Sequence, residues 1–254
     1  MHIIIGDYMK VLITGAFSGI GYNTGLYFLK HNHKVILTVH NEKELKLLKE
    51  KVKDLKNIEC YKLDITNNED RKKITDLDVD ILINNASIGI GGNLLNISSS
   101  KIKEIFNVNV FSTLELSRLF LGHLIANKKQ GQVIFISSLA GNFPITNMGA
   151  YCMTKTCIIV MSKILKKELR KFKNIKIKVI EPGIYNTGFN EVMFNYINDY
   201  NTYNHKKKLF NIIGSNNLNT ISKTIYKSIN SDKLIYRDSY LASLLVKIYY
   251  LLFS

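Results

Sequence analysis

The sequence predicts an α/β fold: a doubly wound parallel sheet with helices on both faces, in a single domain. Three observations carry this expectation. Short β-branched runs alternate with helical apolar spacing along most of the chain, a glycine-rich turn follows the first run directly, and several runs are apolar enough to be buried on both faces. The length of 254 residues, a hydrophobic content of 46% and only two prolines supply one sizeable core and leave little room for disordered tracts.

Residues 10–14 (KVLIT) read as the first strand, and residues 20–32 carry helical spacing after the glycine turn. Residues 35–39 form the second strand. Asn41, with Glu44 three residues on, resembles a capping box that opens a charged helix over 42–55. Further strands are expected at 58–63, 79–84, 132–137 and 175–181, with helices at 101–127 and 150–172. Runs such as ILIN at 81–84 and VIFIS at 133–137 suit a sheet covered on both sides. Beyond Pro182 the pattern loosens: residues 188–217 are rich in Asn, Tyr and Phe without clear strands, and helical spacing returns at 220–229. Residues 1–8 read as an N-terminal extension outside a domain that begins at Met9, and no linker or repeat divides residues 9–254.

The formal charge of +15 raises nucleic acid as a partner, but its distribution argues against one. Arginine occurs only at 71, 118, 170 and 237, and lysine is scattered over every expected helix without an aromatic-interleaved stripe. The expectation is therefore a solvated lysine surface and no nucleic-acid function. Cys60, Cys152 and Cys157 form no CxxC pair and cannot all pair within one chain. With a start too short in apolar residues for a signal peptide and interrupted by Asp7, this points to a cytoplasmic protein. The six histidines show no metal-ligand spacing, so no metal is expected.

The chemistry concentrates in ordered motifs. Thr14-Gly15-Ala16-Phe17-Ser18-Gly19-Ile20-Gly21 lies between a strand and a helix, where glycines let a backbone approach a pyrophosphate and the helix N-terminus favours its charge. Asp64 and Ile65 stand in LDIT, Asn84-Asn85-Ala86-Ser87 follows the 79–84 strand, and Asn109 lies in NVNVFST. Ser138 ends ISS, Tyr151 and Lys155 form YxxxK on one helix face, and Pro182-Gly183 precedes Tyr185 and Thr187. This set, at these spacings, resembles the short-chain dehydrogenase/reductase family, with its Rossmann-like fold, over residues 9–188 and more loosely beyond. Ser87 and Ser112 stand where the family commonly has glycine.

The resemblance implies a NAD(P)-dependent oxidoreductase interconverting a carbonyl and an alcohol, with Asn109, Ser138, Tyr151 and Lys155 catalytic. It implies a dinucleotide held by Thr14, Gly15, Ser18, Gly19, Ile20, Gly21, His40, Asp64, Ile65, Asn85, Ala86, Tyr151, Lys155, Pro182, Gly183, Tyr185 and Thr187. Tyr151 would donate the proton, its phenol lowered toward working pH by the ammonium of Lys155. Ser138 would bond the substrate oxygen, Lys155 would also hold ribose hydroxyls, and Asn109 would complete a water-linked proton path to Lys155. A catalytically weak dinucleotide-binding sensor or regulatory protein is the alternative, and the intact Ser138, Tyr151 and Lys155 argue for turnover.

NADP(H) is expected over NAD(H), because Val39 stands where NAD-preferring relatives carry a carboxylate and His40 where NADP-dependent ones often carry arginine. Asn41, Lys43 and Ser18 add donors or charge nearby. Residues 188–217, with Phe189, Met193, Phe194, Tyr196, Tyr200 and Tyr203, would form a substrate lid, which suggests a small hydrophobic carbonyl or alcohol. Residues 239–254 form an apolar stretch too short to span a bilayer and interrupted by Lys247. It is expected to form a helix over the substrate end or at the interface of a homodimer or homotetramer. Peripheral membrane contact is the competing reading.

Overall fold

The computed structural model describes residues 8–239, 243, 244 and 246–249. Strand β1 (Lys10–Ile13) leads into α1 (Gly19–Lys30), β2 (Lys34–Val39) into α2 (Glu42–Lys51), and β3 (Ile58–Lys62) into the short α3 (Asn68–Lys72). Then follow β4 (Ile81–Asn84), α4 (Ser99–Phe106), α5 (Thr113–Ala126), β5 (Gly131–Ile136), α6 (Gly149–Glu168) and β6 (Ile175–Glu181). The chain continues through α7 (Phe189–Phe194), α8 (Tyr200–Ile213), α9 (Leu218–Ser228) and β7 (Ile235–Arg237).

The seven strands among the described residues are parallel, in the order β3-β2-β1-β4-β5-β6-β7. Strand alternation sorts the core into two layers. Val11 and Ile13 pack with Phe28 of α1 and Ile221 and Ile225 of α9 on one face, and Leu12 packs with Leu116 and Phe120 of α5 and Ile158 of α6 on the other. The doubly wound sheet of the sequence reading is therefore present, buried on both sides. Because β1 pairs with both β2 and β4, strand order reverses there, and a crevice opens at the carboxyl ends of the strands.

Three places carry detail beyond the sequence pattern. The helical stretch expected over 101–127 is present without a break, α4 continuing into α5 through a π-helical turn, Asn107–Ser112, which holds Asn109. Residues 188–217 contain α7 and α8, and Ser215 returns to bridge Tyr185. The edge strand β7 carried no sequence signal, being three half-buried residues, IYR. Of the stretch 239–254, residues 243, 244 and 246–249 are helical, with Val246 buried; the rest of it, and residues 1–7 of the expected extension, lie outside the described residues. Among the described residues no helix is long and apolar enough to cross a membrane.

Candidate active site

A groove of about 970 Å³ runs across the carboxyl ends of the strands. Its lining includes Gly15, Ser18, Gly19, Ile20, His40, Asp64, Ile65, Asn85, Ala86, Ser138, Tyr151, Lys155, Pro182, Gly183, Tyr185 and Thr187. Thr14, Gly21 and Asn109, also singled out from the sequence, stand one layer behind it.

The glycine turn is built for close approach. Gly15 and Gly19 both have φ of +60°, a conformation that costs an L side chain about 1–2 kcal/mol. A Cβ on Gly15 would lie 2.7 Å from the Cα of Ala86, and one on Gly19 would lie 3.2 Å from the Cβ of Thr187. A Cβ on Gly21 would meet the Asn85 Nδ2 at 2.5 Å, so this glycine lets the first turn of α1 pack against Asn85. Thr14 Oγ1 accepts from the backbone N–H groups of Asn85 and Ala86, each at 3.0 Å, and Asn85 Nδ2 donates to the carbonyls of Thr14 and Gly15, each at 2.9 Å. The turns after β1 and β4 thus form one unit. With the N-terminus of α1 opening at Gly19, this cradle fits the pyrophosphate of a dinucleotide, which demands close backbone approach and a positive helix end.

At the far end of that cradle stand His40 and Glu44. Asn41 caps α2 by accepting from the Glu44 N–H at 2.8 Å, but the Glu44 carboxylate turns to His40 Nδ1, at 3.1 Å. Asn41 Nδ2 lies 2.9 Å from His40 Nε2, so the Nδ1–H tautomer satisfies both contacts. Glu44 lines the groove, a role its sequence pattern does not signal because the spacing from Asn41 marks only a cap. Val39 is buried in the core and does not line the groove. Asp64 Oδ1 accepts from the N–H and hydroxyl of Thr66, shaping the turn after β3. Asp70, paired with Lys62 and Lys73, accepts from the Asp64 N–H at 3.0 Å and braces that turn from below.

The opposite wall holds the polar group at the top of α6. Tyr151 and Lys155 are both buried, and Ser138, at the end of β5, hydrogen-bonds the phenol. Lys155 Nζ donates to the carbonyl of Ile136 at 3.0 Å, and Ser137 Oγ donates to the Lys155 carbonyl at 2.9 Å, tying α6 to β5. Here the electrostatics differ from the sequence expectation. Burial pushes the Tyr151 phenol up, against the pull of Ser138, and lowers the Lys155 amine to about 7. Desolvation disfavours the charged form of each group.

Asn109 is a buried amide behind this wall. Its side chain accepts from the Ile88 N–H at 2.9 Å and donates to the Ile88 carbonyl at 2.9 Å and to Thr154 Oγ1 at 3.1 Å. Its amide joins the loop after β4 to α6, one residue from Lys155, and makes no direct contact with that amine. Thr154, unremarked in the sequence, is the third member of this junction.

Phe189, Met193 and Phe194 of α7 pack with Tyr151, Met148 and Ile90 in a third apolar cluster. The Phe189 ring lies 5.6 Å from that of Tyr151, so the start of α7 packs beside the phenol, and both rings line the groove. Tyr249 packs edge-on to Phe143, which lines the groove, with ring centres 5.0 Å apart.

The sequence profile of the family described as short chain dehydrogenase matches residues 9–196. Estradiol 17-beta-dehydrogenase 11 of Homo sapiens is 31% identical over 188 residues, 70% of this chain and 62% of that protein. The 3-ketodihydrosphingosine reductase of Bacteroides thetaiotaomicron is 28% identical over 187 residues, 71% of this chain and 65% of that one. The chain spans less than two thirds of the length of these curated relatives. Among solved structures, a short chain dehydrogenase/reductase from Burkholderia phymatum in complex with NAD superposes with a TM-score of 0.86 at 18% identity, over 98% of this chain and 95% of that one. A short-chain dehydrogenase from Sphingobium yanoikuyae in complex with NADPH gives 0.76 at 20% identity, over 96% and 95%. At such identities these two likenesses speak for the fold alone.

Proposed function

The chain belongs to the short-chain dehydrogenase/reductase family, and from that premise we propose that it is a NAD(P)-dependent oxidoreductase interconverting a carbonyl and an alcohol. The observation that carries this reading is the placing of Tyr151, Ser138 and Lys155 on one wall of a groove whose other end is the glycine cradle. Residues 14–21, Asn85, Ala86 and residues 182–187 would hold the dinucleotide, with Lys155 at its nicotinamide ribose. When bound, that cofactor supplies the hydride.

The protein's own part is proton transfer and orientation. Ser138 donates a hydrogen bond to the substrate oxygen and fixes the carbonyl beside Tyr151. Tyr151 gives its hydroxyl proton to that oxygen as negative charge develops on it. A phenol kept protonated by burial is suited to this direction, so the reading favours reduction. Lys155 accepts and returns protons beneath the phenol, and an amine near 7 does so at neutral pH. Asn109 holds the Ile88 loop and α6 in register for these steps.

A hydrophobic substrate is supported by Ile88, Ile90, Met148, Phe189 and Val192 along the groove, under residues 188–217 as the lid. Estradiol and 3-ketodihydrosphingosine, for which two relatives are named, are apolar molecules of this kind. NADP(H) is favoured over NAD(H) because His40 faces the groove where a 2′-phosphate would lie, although Glu44 acts against that phosphate. Exposed Met153, Val160 and Ile164 on α6 support a homodimer or homotetramer. A cytoplasmic location, with any membrane contact made through the C-terminal stretch, completes the proposal; fractionation and liposome co-sedimentation test it. The activity is tested by NADPH and NADH oxidation over aldehydes, ketones and quinones. Turnover of an apolar carbonyl, lost in Tyr151→Phe, is expected. Dinucleotide binding without turnover of any carbonyl or alcohol would replace the enzyme with a sensor.

A further inference from the structure

Arg237, which ends β7, and Asp238, the residue after it, turn onto the end of β6 and the segment that follows. In the register of the two strands, Glu181 lies opposite Arg237. Arg237 Nε donates to Glu181 Oε2 at 2.7 Å, and Glu181 has no exposed surface. The next residue, Asp238, accepts twice through one oxygen, from the Gly183 N–H at 3.1 Å and from the Tyr185 hydroxyl at 2.6 Å. Adjacent side chains therefore hold the chain on both sides of Pro182, which has no N–H of its own to anchor the turn.

The hold extends to the lid. Tyr185 is buried, and its carbonyl accepts from the Thr187 N–H at 3.1 Å and from Asn190 Nδ2 at 3.3 Å, so its position sets the start of α7. Burial, with the carboxylate second to it, raises the Tyr185 phenol, which stays a neutral donor and keeps the bond at working pH. Hydrogen bonds to a charged acceptor are about twice as strong as neutral ones, and Asp238 makes two. Past Asp238 the chain reaches Tyr249, against Phe143 on the groove.

We propose that Arg237 and Asp238 are positioning residues: they clamp residues 181–187, and through them set dinucleotide affinity and the seating of the lid over Tyr151. The part concerning affinity rests on the function proposed above. Neither residue touches substrate or cofactor: Arg237 acts through Glu181, and Asp238 through Gly183 and Tyr185.

Three variants of the full chain test the clamp: Asp238→Ala, Asp238→Asn and Tyr185→Phe. Asparagine keeps an oxygen that can accept both bonds, whereas alanine removes them. Fluorescence titration with NADPH and NADH is expected to show at least a tenfold weaker Kd for Asp238→Ala and a value within threefold of wild type for Asp238→Asn. Cofactor KM is expected to rise with Kd while kcat falls less than threefold. Hydrogen exchange is expected to quicken at least tenfold in residues 183–190 of Asp238→Ala and remain unchanged in β1 and β4. Tyr185→Phe should loosen the same peptide, and do so if Asp238→Ala does not fold. Unchanged exchange in 183–190 for Tyr185→Phe, or unchanged Kd and KM in a folded Asp238→Ala that only melts earlier, would overturn the clamp. If wild type binds neither dinucleotide, the proposed function fails, and the exchange measurement still decides the clamp by itself.

Discussion

The amine of Lys155 lies 5.4 Å from the centre of the Tyr151 ring and is anchored by the carbonyl of Ile136, at the end of the neighbouring strand. One turn of α6 thus presents a buried phenol above a buried amine. Tyr151→Phe removes only the hydroxyl. Turnover should fall about 10²–10⁴-fold, with dinucleotide Kd within a few-fold of wild type. Steady-state rates set beside fluorescence titrations check this, and turnover retained within tenfold would remove Tyr151 from the acid role. Lys155→Ala should weaken both binding and rate.

Lys155 also sets a pH dependence of stability. Its folded pKa of about 7 lies below its ordinary 10.5, so between these values the unfolded chain binds a proton that the fold does not. Stability contributed at this site therefore rises with pH from about 7 to 10.5. Lys155→Met removes the cost of burying the amine. Its gain in Tm over wild type should be largest at pH 7 and below and shrink toward pH 10; a gain independent of pH would contradict the assignment.

Asp70 titrates at the acid end. Burial pushes its carboxyl up, but Lys62, Lys73 and the Asp64 N–H together hold it down at about 2, below its ordinary 3.8. The stabilisation is complete above about pH 4 and is lost as pH falls toward 2. Asp70→Asn should cost about 1–3 kcal/mol at pH 7 and almost nothing at pH 2, measured by urea unfolding at both.

Gly15→Ala combines a left-handed φ with a contact of 2.7 Å to the Ala86 backbone. A loss of about 1–3 kcal/mol in stability is expected, with dinucleotide affinity reduced more than tenfold as the two turns separate. Thermal melts and titrations on one preparation separate the two effects, and normal affinity would show that the turns need not touch.

Cofactor choice should respond at Glu44. Glu44→Gln removes a carboxylate facing the groove and is expected to tighten NADPH about two- to fivefold, the size of one exposed charge interaction, with little change for NADH. Val39→Asp, the substitution the sequence suggests, would place a carboxylate in the core and should cost stability before it informs on specificity. Paired Kd values for both cofactors, with melts of both variants, decide between these positions.

The fold was legible because its signals are local: β-branched runs in KVLIT and VIFIS, helical spacing in 150–172, and glycines placed between strand and helix. Much of the candidate site was legible for the same reason, since Tyr151 and Lys155 are one helical turn apart and residues 14–21 are one loop. Edge strand β7 was not, because three half-buried residues, IYR, bury too little to leave a pattern.

By itself the sequence determined the alternation of strands and helices, the family, and the side chains that wall the groove, each encoded within a few neighbouring residues. Only the tertiary structure decided that Glu44 faces the cofactor end of the groove while Val39 faces the core, and that Asn109 spends its amide on Ile88 and Thr154. It alone showed that Asp238 holds Gly183 and Tyr185 across 55 and 53 residues of chain. Such contacts join positions far apart in the chain, and the direction of a side chain and the desolvation that moves Lys155 to about 7 depend on what packs around it. Sequence periodicity carries no record of that packing.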